Sequence, residues 1–521
     1  MDTEVAQILN QLPARISDVL DRRTREAPDH PALIESSGEW SYAQLAHVVA
    51  TTKLWLISAG VRPGDRVMIV FENCRTFVAI LFALGGLDAW PVLVNAYLSS
   101  REIDQIREHC GARLVIYTSG VSPRAAEHAR RHAGEVKILP ELGQVAIGAV
   151  NTEAMSEPVY ADGAQQVAAL IYTSGTTGKP KGVMLTHKNL LFMAAISARI
   201  RRLGPDDRIY GVLPMSHAVG LSVVLLGSLI SGAAVYVTPR FDPIAAPTTL
   251  AKEGITVFLG VPAMFGQLLQ YAKLRGFKSL DFPALRIISS SGAPLQASIK
   301  SPIENLFGLV LHNGYGVTEC SPTIAQTRVD EPRSDTSVGK VFPGVEFRLI
   351  GREGRLARDE EVGELQVRGP NVMKGYYRAP DETAAAIDRE GWFNTRDLAR
   401  CEKGNLFIVG RTRELIVHLG LNVYPGEVEA VLNAHPAVVR SAVVGKTIEG
   451  DEQIFAFVQP SPGAGLTAKD LAQYAAGQLA SYKRPTRILL VPTLPMTPTG
   501  KIIKGELTKM AAQTGQVRDV T

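Results

Sequence analysis

The sequence predicts an α/β protein, with a large N-terminal domain of α/β sheets carrying a β-rich subdomain and a small α+β C-terminal domain behind it. Three observations point there. Up to about Arg400, helix-like patterns such as Tyr42 to Ala59 and Glu102 to His109 alternate with short β-rich runs such as Val67 to Phe71, Leu114 to Tyr117 and Val235 to Thr238. That is the rhythm of sheets joined by crossover helices. Between Val338 and Val367 the texture changes to short strands and glycine turns, VGKVFPGVEFRLIG and then GELQVRG, which reads as the β-rich subdomain. After Gly410 a fresh pattern opens, with Glu427 to Leu432 and Asp470 to Leu479 helical and Val438 to Val444 and Ile454 to Val458 extended. It is enough for a compact module of about a hundred residues.

Bulk properties narrow the class. A chain of 521 residues with 46% hydrophobic content exceeds one ordinary core and divides into domains. Net charge is only +4, and Lys and Arg are scattered among Asp and Glu, which is not the footprint of a nucleic-acid binder. Cys74, Cys110, Cys320 and Cys401 lie far apart, in neither a disulfide framework nor a zinc-site spacing. The opening MDTEVAQ is acidic and leads into no apolar signal core. Together these give the expectation of a cytoplasmic protein. The apolar stretches Val78 to Val94 and Val223 to Val237 are interrupted by Gly, Asp, Pro or Ser, so they read as buried helices and strands with no transmembrane segment.

The densest chemical signal is Tyr172 to Gly182, YTSGTTGKPKG, directly after the apolar run Val167 to Ile171. Glycines admit main-chain N–H groups to anionic oxygens, hydroxyls add donors and lysines add charge, so this loop suits a polyphosphate. Its candidate contacts are Thr173, Ser174, Gly175, Thr176, Thr177, Gly178, Lys179 and Lys181. Pro180 follows Gly178-Lys179 where a P-loop needs Ser or Thr, so it is a different phosphate loop. A following helix, capped by Thr186, is expected to add its dipole.

The loop resembles the signature loop of the adenylate-forming enzymes, the superfamily of acyl-CoA synthetases, peptide-synthetase adenylation domains and beetle luciferases, and further motifs follow in that family's order. Asn313 to Glu319, NGYGVTE, is similar to the segment whose Tyr stacks on adenine, whose Thr contacts phosphate and whose acid holds magnesium. The resemblance therefore implies nucleotide contacts from Asn313, Gly314, Tyr315, Gly316 and Thr318, and Mg²⁺ on Glu319. An aromatic face suits a purine, and a hard cation prefers carboxylate oxygen. Ser289 to Leu295, SSSGAPL, resembles the loop edging the adenine and the acyl pocket, which brings in Gly292, Ala293 and Pro294. Pro214 to Gly220 resembles the segment whose His, here His217, orients the carboxylate being activated.

Trp392 to Leu398, WFNTRDL, resembles the T-G-D segment whose Asp holds the ribose hydroxyls, so Asp397 carries that role. Arg396 stands where Gly is usual. Gly410-Arg411 resembles the ribose-binding Arg that ends the large domain. The resemblance implies domains of residues 1–411 and 412–521, the second mobile about a hinge near Arg413. His418 to Glu429, HLGLNVYPGEVE, resembles the loop that faces the site after that motion. It keeps Gly420, while Leu419 and Leu421 replace residues that are often Gly, Lys, Glu or Phe. Pro495 to Lys501, PMTPTGK, resembles the loop whose Lys, here Lys501, bridges carboxylate and α-phosphate.

The implied activity is that of an acyl-CoA synthetase using ATP, Mg²⁺ and CoA: a carboxylic acid becomes acyl-AMP and then a thioester. Pocket candidates His217 to Leu221, Gly260 to Pro262, Ser289 to Ala293 and Gly314 to Val317 are small or apolar and offer no acidic anchor for an α-amine. A fatty or aromatic acid is favoured over an amino acid. Two alternatives stand beside this: an adenylating enzyme that loads a carrier-protein phosphopantetheine, and a non-catalytic nucleotide sensor. A homodimer is expected by family analogy.

Overall fold

The computed structural model describes residues 3–174, 180–351, 354–419, 421–448, 451–496 and 502–513. Two large sheets form the N-terminal part. One has eight strands, with Arg66–Phe71, Trp90–Asn95, Leu114–Tyr117 and Val167–Ser174 in parallel and Pro180–Thr186 returning antiparallel beside the last. The other has nine strands, whose parallel members include Val257–Gly260, Ile287–Ser290 and Leu311–Gly316. Thr323–Gln326 then turns back antiparallel, setting Gln326 opposite Gly314. Helices Arg75–Gly85 and His187–Ile200 are apolar nearly all round, the mark of a helix covered on every side. They share one core with side chains of both sheets. The interrupted apolar runs of the sequence are therefore buried elements. Among the described residues no helix is long and apolar enough to cross a membrane.

The predicted β-rich subdomain is a four-stranded antiparallel sheet of Glu346–Ile350, Gly363–Arg368, Phe393–Glu402 and Asn405–Arg411. Beyond it, Val438–Ile448, Asp451–Pro460 and Arg487–Leu490 make a three-stranded sheet. Helices Pro425–Asn433, Ala468–Ala476 and Lys504–Gln513 pack there around apolar clusters of their own. The α/β class and the smaller α+β tail agree with the sequence reading.

One expectation fails on topology. Thr186 does cap the helix His187–Ile200, exchanging hydrogen bonds with Asn189 at 2.9 and 3.1 Å. The strand Pro180–Thr186 separates that helix from the phosphate loop, however. At ~3.3 Å per residue its N-terminus lies roughly 20 Å along the strand, beyond the reach of a terminal dipole. The segments flanking the loop are the paired strands Val167–Ser174 and Pro180–Thr186, and no helix directly follows it.

Candidate functional site

Asp397 is where three distant segments meet. Sheet register puts it directly opposite Arg411, a cross-strand pair, and Arg411 Nε donates to Asp397 Oδ1 at 3.1 Å. Tyr315, from the end of Leu311–Gly316, donates its hydroxyl to Asp397 Oδ2 at 2.5 Å. Burial lifts the Asp397 carboxyl above the ordinary carboxylate range against the pull of Arg411. Burial and that same carboxylate drive the Tyr315 phenol far up, so the phenol keeps its proton. The backbone at Arg396 takes φ +60°, the left-handed conformation that favours Gly. Asn394 and Thr395 hold this turn by accepting from the Arg396 and Asp397 N–H groups at 2.9 and 3.1 Å. The left-handed turn forms here without a glycine.

Thr173 and Lys181 face each other across the hairpin. Gly175, Thr176, Thr177, Gly178 and Lys179 lie outside the described residues, as does the Ser174 side chain. Lys181 pairs with Glu382, and its Nζ sits 5.2 Å from the centre of the Tyr376 ring. The Tyr376 hydroxyl in turn donates to Glu319 Oε1 at 2.9 Å. Tyr376 thus links the phosphate hairpin to the proposed metal carboxylate, a role the sequence reading missed because a lone Tyr carries no spacing signal. Glu319 lies beside Thr318 on the short turn Thr318–Cys320, half-buried, and makes no ion pair among the described residues. Such a carboxylate fits Mg²⁺ held by one protein oxygen plus phosphate oxygens. No cluster of three His, Cys, Asp or Glu is formed among the described residues.

The remaining motif residues sort into supports and walls. Asn313 is buried and donates its amide to the carbonyls of Thr336 and Ser337 at 3.0 and 3.2 Å, so it anchors a loop. Gly316 has no room for a side chain, since a Cβ there would lie 2.0 Å from the Pro322 carbonyl. Its close approach is to its own chain, whereas Gly314 meets only ordinary contacts. His217 is exposed at the head of the π-helix Val219–Leu226, an irregular geometry frequent at functional sites. Asn73 fixes the preceding loop, accepting from Met215 N at 2.8 Å and donating to the Gly211 and Leu213 carbonyls. Gly292 lies with Ala293 and Pro294 on the turn after Ile287–Ser290.

A small cleft joins these walls. Ser289, Gly292, Gly314, Tyr315 and Val219 line it, all within segments the sequence reading assigned to the acyl pocket. It also reaches Val223, Arg201 and Gln326, which that reading missed. Their motifs were silent: Arg201 ends a helix, and Gln326 enters only through the register opposite Gly314.

On the C-terminal side, Arg413 lies exposed in the turn Thr412–Glu414. Gly420 and Lys501 lie outside the described residues. Leu419 adopts φ +52° and is exposed, so it too occupies a glycine-type backbone position. Lys504, three residues beyond Lys501, bridges Glu414 and Glu429 at 3.1 and 2.8 Å. Burial pulls its ammonium down, but the two carboxylates outweigh that and hold it above the ordinary lysine value. The C-terminal helix is thereby tied to the turn beside Arg413. Cys74, Cys110, Cys320 and Cys401 are free thiols.

The model of the AMP-binding enzyme family matches residues 20–377, and that of the AMP-binding enzyme C-terminal domain matches 427–501. The chain is 35% identical over 492 residues to the feruloyl-CoA synthase of an Amycolatopsis species, covering 93% of this chain and 97% of that one. It is 30% identical to the 4-coumarate–CoA ligase of Pinus taeda, covering 94% of each. The crystal structure of ATP-bound MatB from Rhodopseudomonas palustris superposes with a TM-score of 0.84 at 28% identity, over 95% of this chain and 99% of that one.

Proposed function

The chain belongs to the AMP-binding enzyme family, in its acyl-CoA synthetase branch, and from that premise we propose how its residues divide an AMP-forming acid–thiol ligation between them. A carboxylate is a poor electrophile, because charge and resonance resist attack, so activation precedes thioester formation. The carboxylate oxygen of the substrate acid attacks the α-phosphorus of ATP and the bond to pyrophosphate breaks. Acyl-AMP remains. The CoA sulfur then attacks the acyl carbon, its thiol proton is released and AMP leaves.

In this reading the hairpin from Thr173 to Lys181 holds the β- and γ-phosphates, and Tyr315 stacks on adenine. Asp397 and Arg411 seat the ribose, His217 orients the acid and Lys501 draws carboxylate and α-phosphate together. Such work is positioning and charge stabilisation. A magnesium ion on Glu319 supplies further charge neutralisation when bound. Arg413 is the pivot between residues 1–411 and 412–521, and the small domain turns there between the half-reactions. The enzyme works in the cytoplasm, whose reducing medium suits free thiols, and pairs as a homodimer by family analogy.

The observation that carries the reading is the meeting of Tyr315, Asp397 and Arg411, from three motifs, on one carboxylate. Acid-dependent exchange of labelled pyrophosphate into ATP tests it, with fatty and aromatic acids as the panel. Lys501→Ala should abolish exchange yet spare thioester formation from a supplied acyl-adenylate. Equal loss of both half-reactions would remove Lys501 from its role.

A further inference from the structure

The proposed acyl cleft is lined by two buried side chains, each with a donor that lacks a partner among the described residues. Its walls Val219, Val223 and Leu259 are apolar, as a fatty or aromatic acid requires. Arg201 and Gln326 complete the lining, only 4% and 1% exposed. Arg201 gives Nη1 to Ser197 and Nη2 to Gln326 Oε1, which leaves its Nε without a partner. The Gln326 Nε2 is likewise unpartnered. No carboxylate pairs with Arg201 among the described residues, and its charged neighbour is another arginine, Arg328. A buried guanidinium without a counter-charge and a buried amide N–H without an acceptor are each costly. Burial and Arg328 bring the Arg201 guanidinium down only to about 9, so it is cationic at neutral pH.

Resting on the adenylating reading, we propose that the acid activated here carries a hydrogen-bond-accepting oxygen, keto or carboxylate, at the end remote from its reacting carboxyl. Arg201 Nε and Gln326 Nε2 receive that oxygen. Both groups are donors only, so a hydroxyl can serve solely through its lone pairs and a plain hydrocarbon tail leaves both unmet. Gly314 and Tyr315 line the same cleft, which makes it continuous with the proposed adenylate seat. A helix-capping role for Arg201 accounts for Nη1 on the Ser197 carbonyl, and for neither unpartnered donor.

The test is pyrophosphate exchange with the full-length enzyme and two matched sets of acids. One sets octanoate against 7-oxooctanoate and octanedioate. The other sets 3-(4-methylphenyl)propanoate against its 4-acetyl and 4-carboxy counterparts. In at least one set an oxygen-bearing acid should exceed the plain one in kcat/KM by roughly 10–100-fold, the range of a hydrogen bond to a charged group. The keto and carboxylate arms tell which oxygen is preferred. Arg201→Met should shrink that ratio at least about tenfold, Arg201→Lys should retain part of it, and Gln326→Leu should shrink it less. Should Arg201→Met not fold, shown by its melting temperature, the Gln326→Leu ratio decides. Plain acids equal or better in both sets would overturn the proposal while exchange itself stands. Equal loss for both members of a pair in Arg201→Met would also overturn it, leaving a helix cap. No exchange with any acid would bring down the adenylating reading, and this proposal with it.

Discussion

The proposed nucleotide end and the proposed acyl end of the site are prepared in opposite ways. At the nucleotide end the described charged groups mostly have internal partners: Asp397 holds Tyr315 and Arg411, Lys181 holds Glu382, and Glu319 accepts from Tyr376. At the acyl end Arg201 Nε and Gln326 Nε2 have none. A ligand at the first end exchanges or shares bonds that already exist, so geometry is preset and net affinity per contact is modest. A ligand at the second removes a standing desolvation cost, so its match is worth more per bond. The first arrangement suits a cosubstrate common to a whole family, and the second suits discrimination among acids.

The sharpest way to break that comparison is to remove the hub. In Asp397→Ala, two donors on Tyr315 and Arg411 lose their acceptor along with the ribose. Hydrogen bonds to a charged group are worth about 1.5–3 kcal/mol, which gives roughly a 10–100-fold loss in kcat/KM for ATP. Pyrophosphate exchange against ATP concentration measures it. A loss under about threefold would mean that the cluster braces the sheet and does not seat a nucleotide.

The acyl end can be probed without substrate through His312, buried beside Arg201. Burial first, then Arg201 and Lys300, against Glu304, depress its pKa to about 4. A folded value below the ordinary ~6.5 means the unfolded chain binds the proton first. His312 therefore adds stability above pH 6.5 that is lost as pH falls toward 4, at about 1.4 kcal/mol per pH unit where only the unfolded form is protonated. Its imidazole resonances should titrate near 4 in wild type and higher in Arg201→Met. An imidazole that titrates at the same pH in both proteins would show that the charge of Arg201 is not felt there, and would weaken the contrast between the two ends.

Legibility in the sequence follows the same divide. The proposed nucleotide end is written in contiguous motifs, because the residues proposed to meet phosphate, ribose and adenine are neighbours in the chain within each loop. Tyr315, Asp397 and Arg411 could be named before their meeting was visible, although only sheet register shows why Asp397 reaches Arg411. Arg396 was legible as a departure from glycine and Leu419 as a departure from residues that are often Gly, Lys, Glu or Phe, and both take left-handed φ values, +60° and +52°. The acyl end is written in residues that no motif joins. Arg201 belongs to a helix terminus and Gln326 to a return strand, and only the packing of that helix against the sheet brings them together. Tyr376 and Lys504 escaped for the same reason, each being a single side chain whose meaning lies in a contact across the fold. The misplaced helix dipole had a local cause: a loop rich in glycine before a capped helix reads as their direct junction, and an intervening strand of Pro180–Thr186 is short enough to pass as part of the loop.

The smallest expected effect concerns Glu382, which holds Lys181 at the nucleotide end. Lys181 is about a quarter exposed and Glu382 nearly half, so solvent screens the pair and its worth is about 0.2–1 kcal/mol. If Glu382 occupies the lysine until phosphate arrives, Glu382→Gln frees a cation at no cost to the fold. The KM for ATP should then fall by roughly two- to fivefold, with kcat unchanged and the gain fading as salt rises. A higher KM would mean that Glu382 steers Lys181 toward the phosphates instead of competing for it. The nucleotide end would then be preorganised by its acid partners, and the exchange of bonds inferred for that end would give way to simple addition.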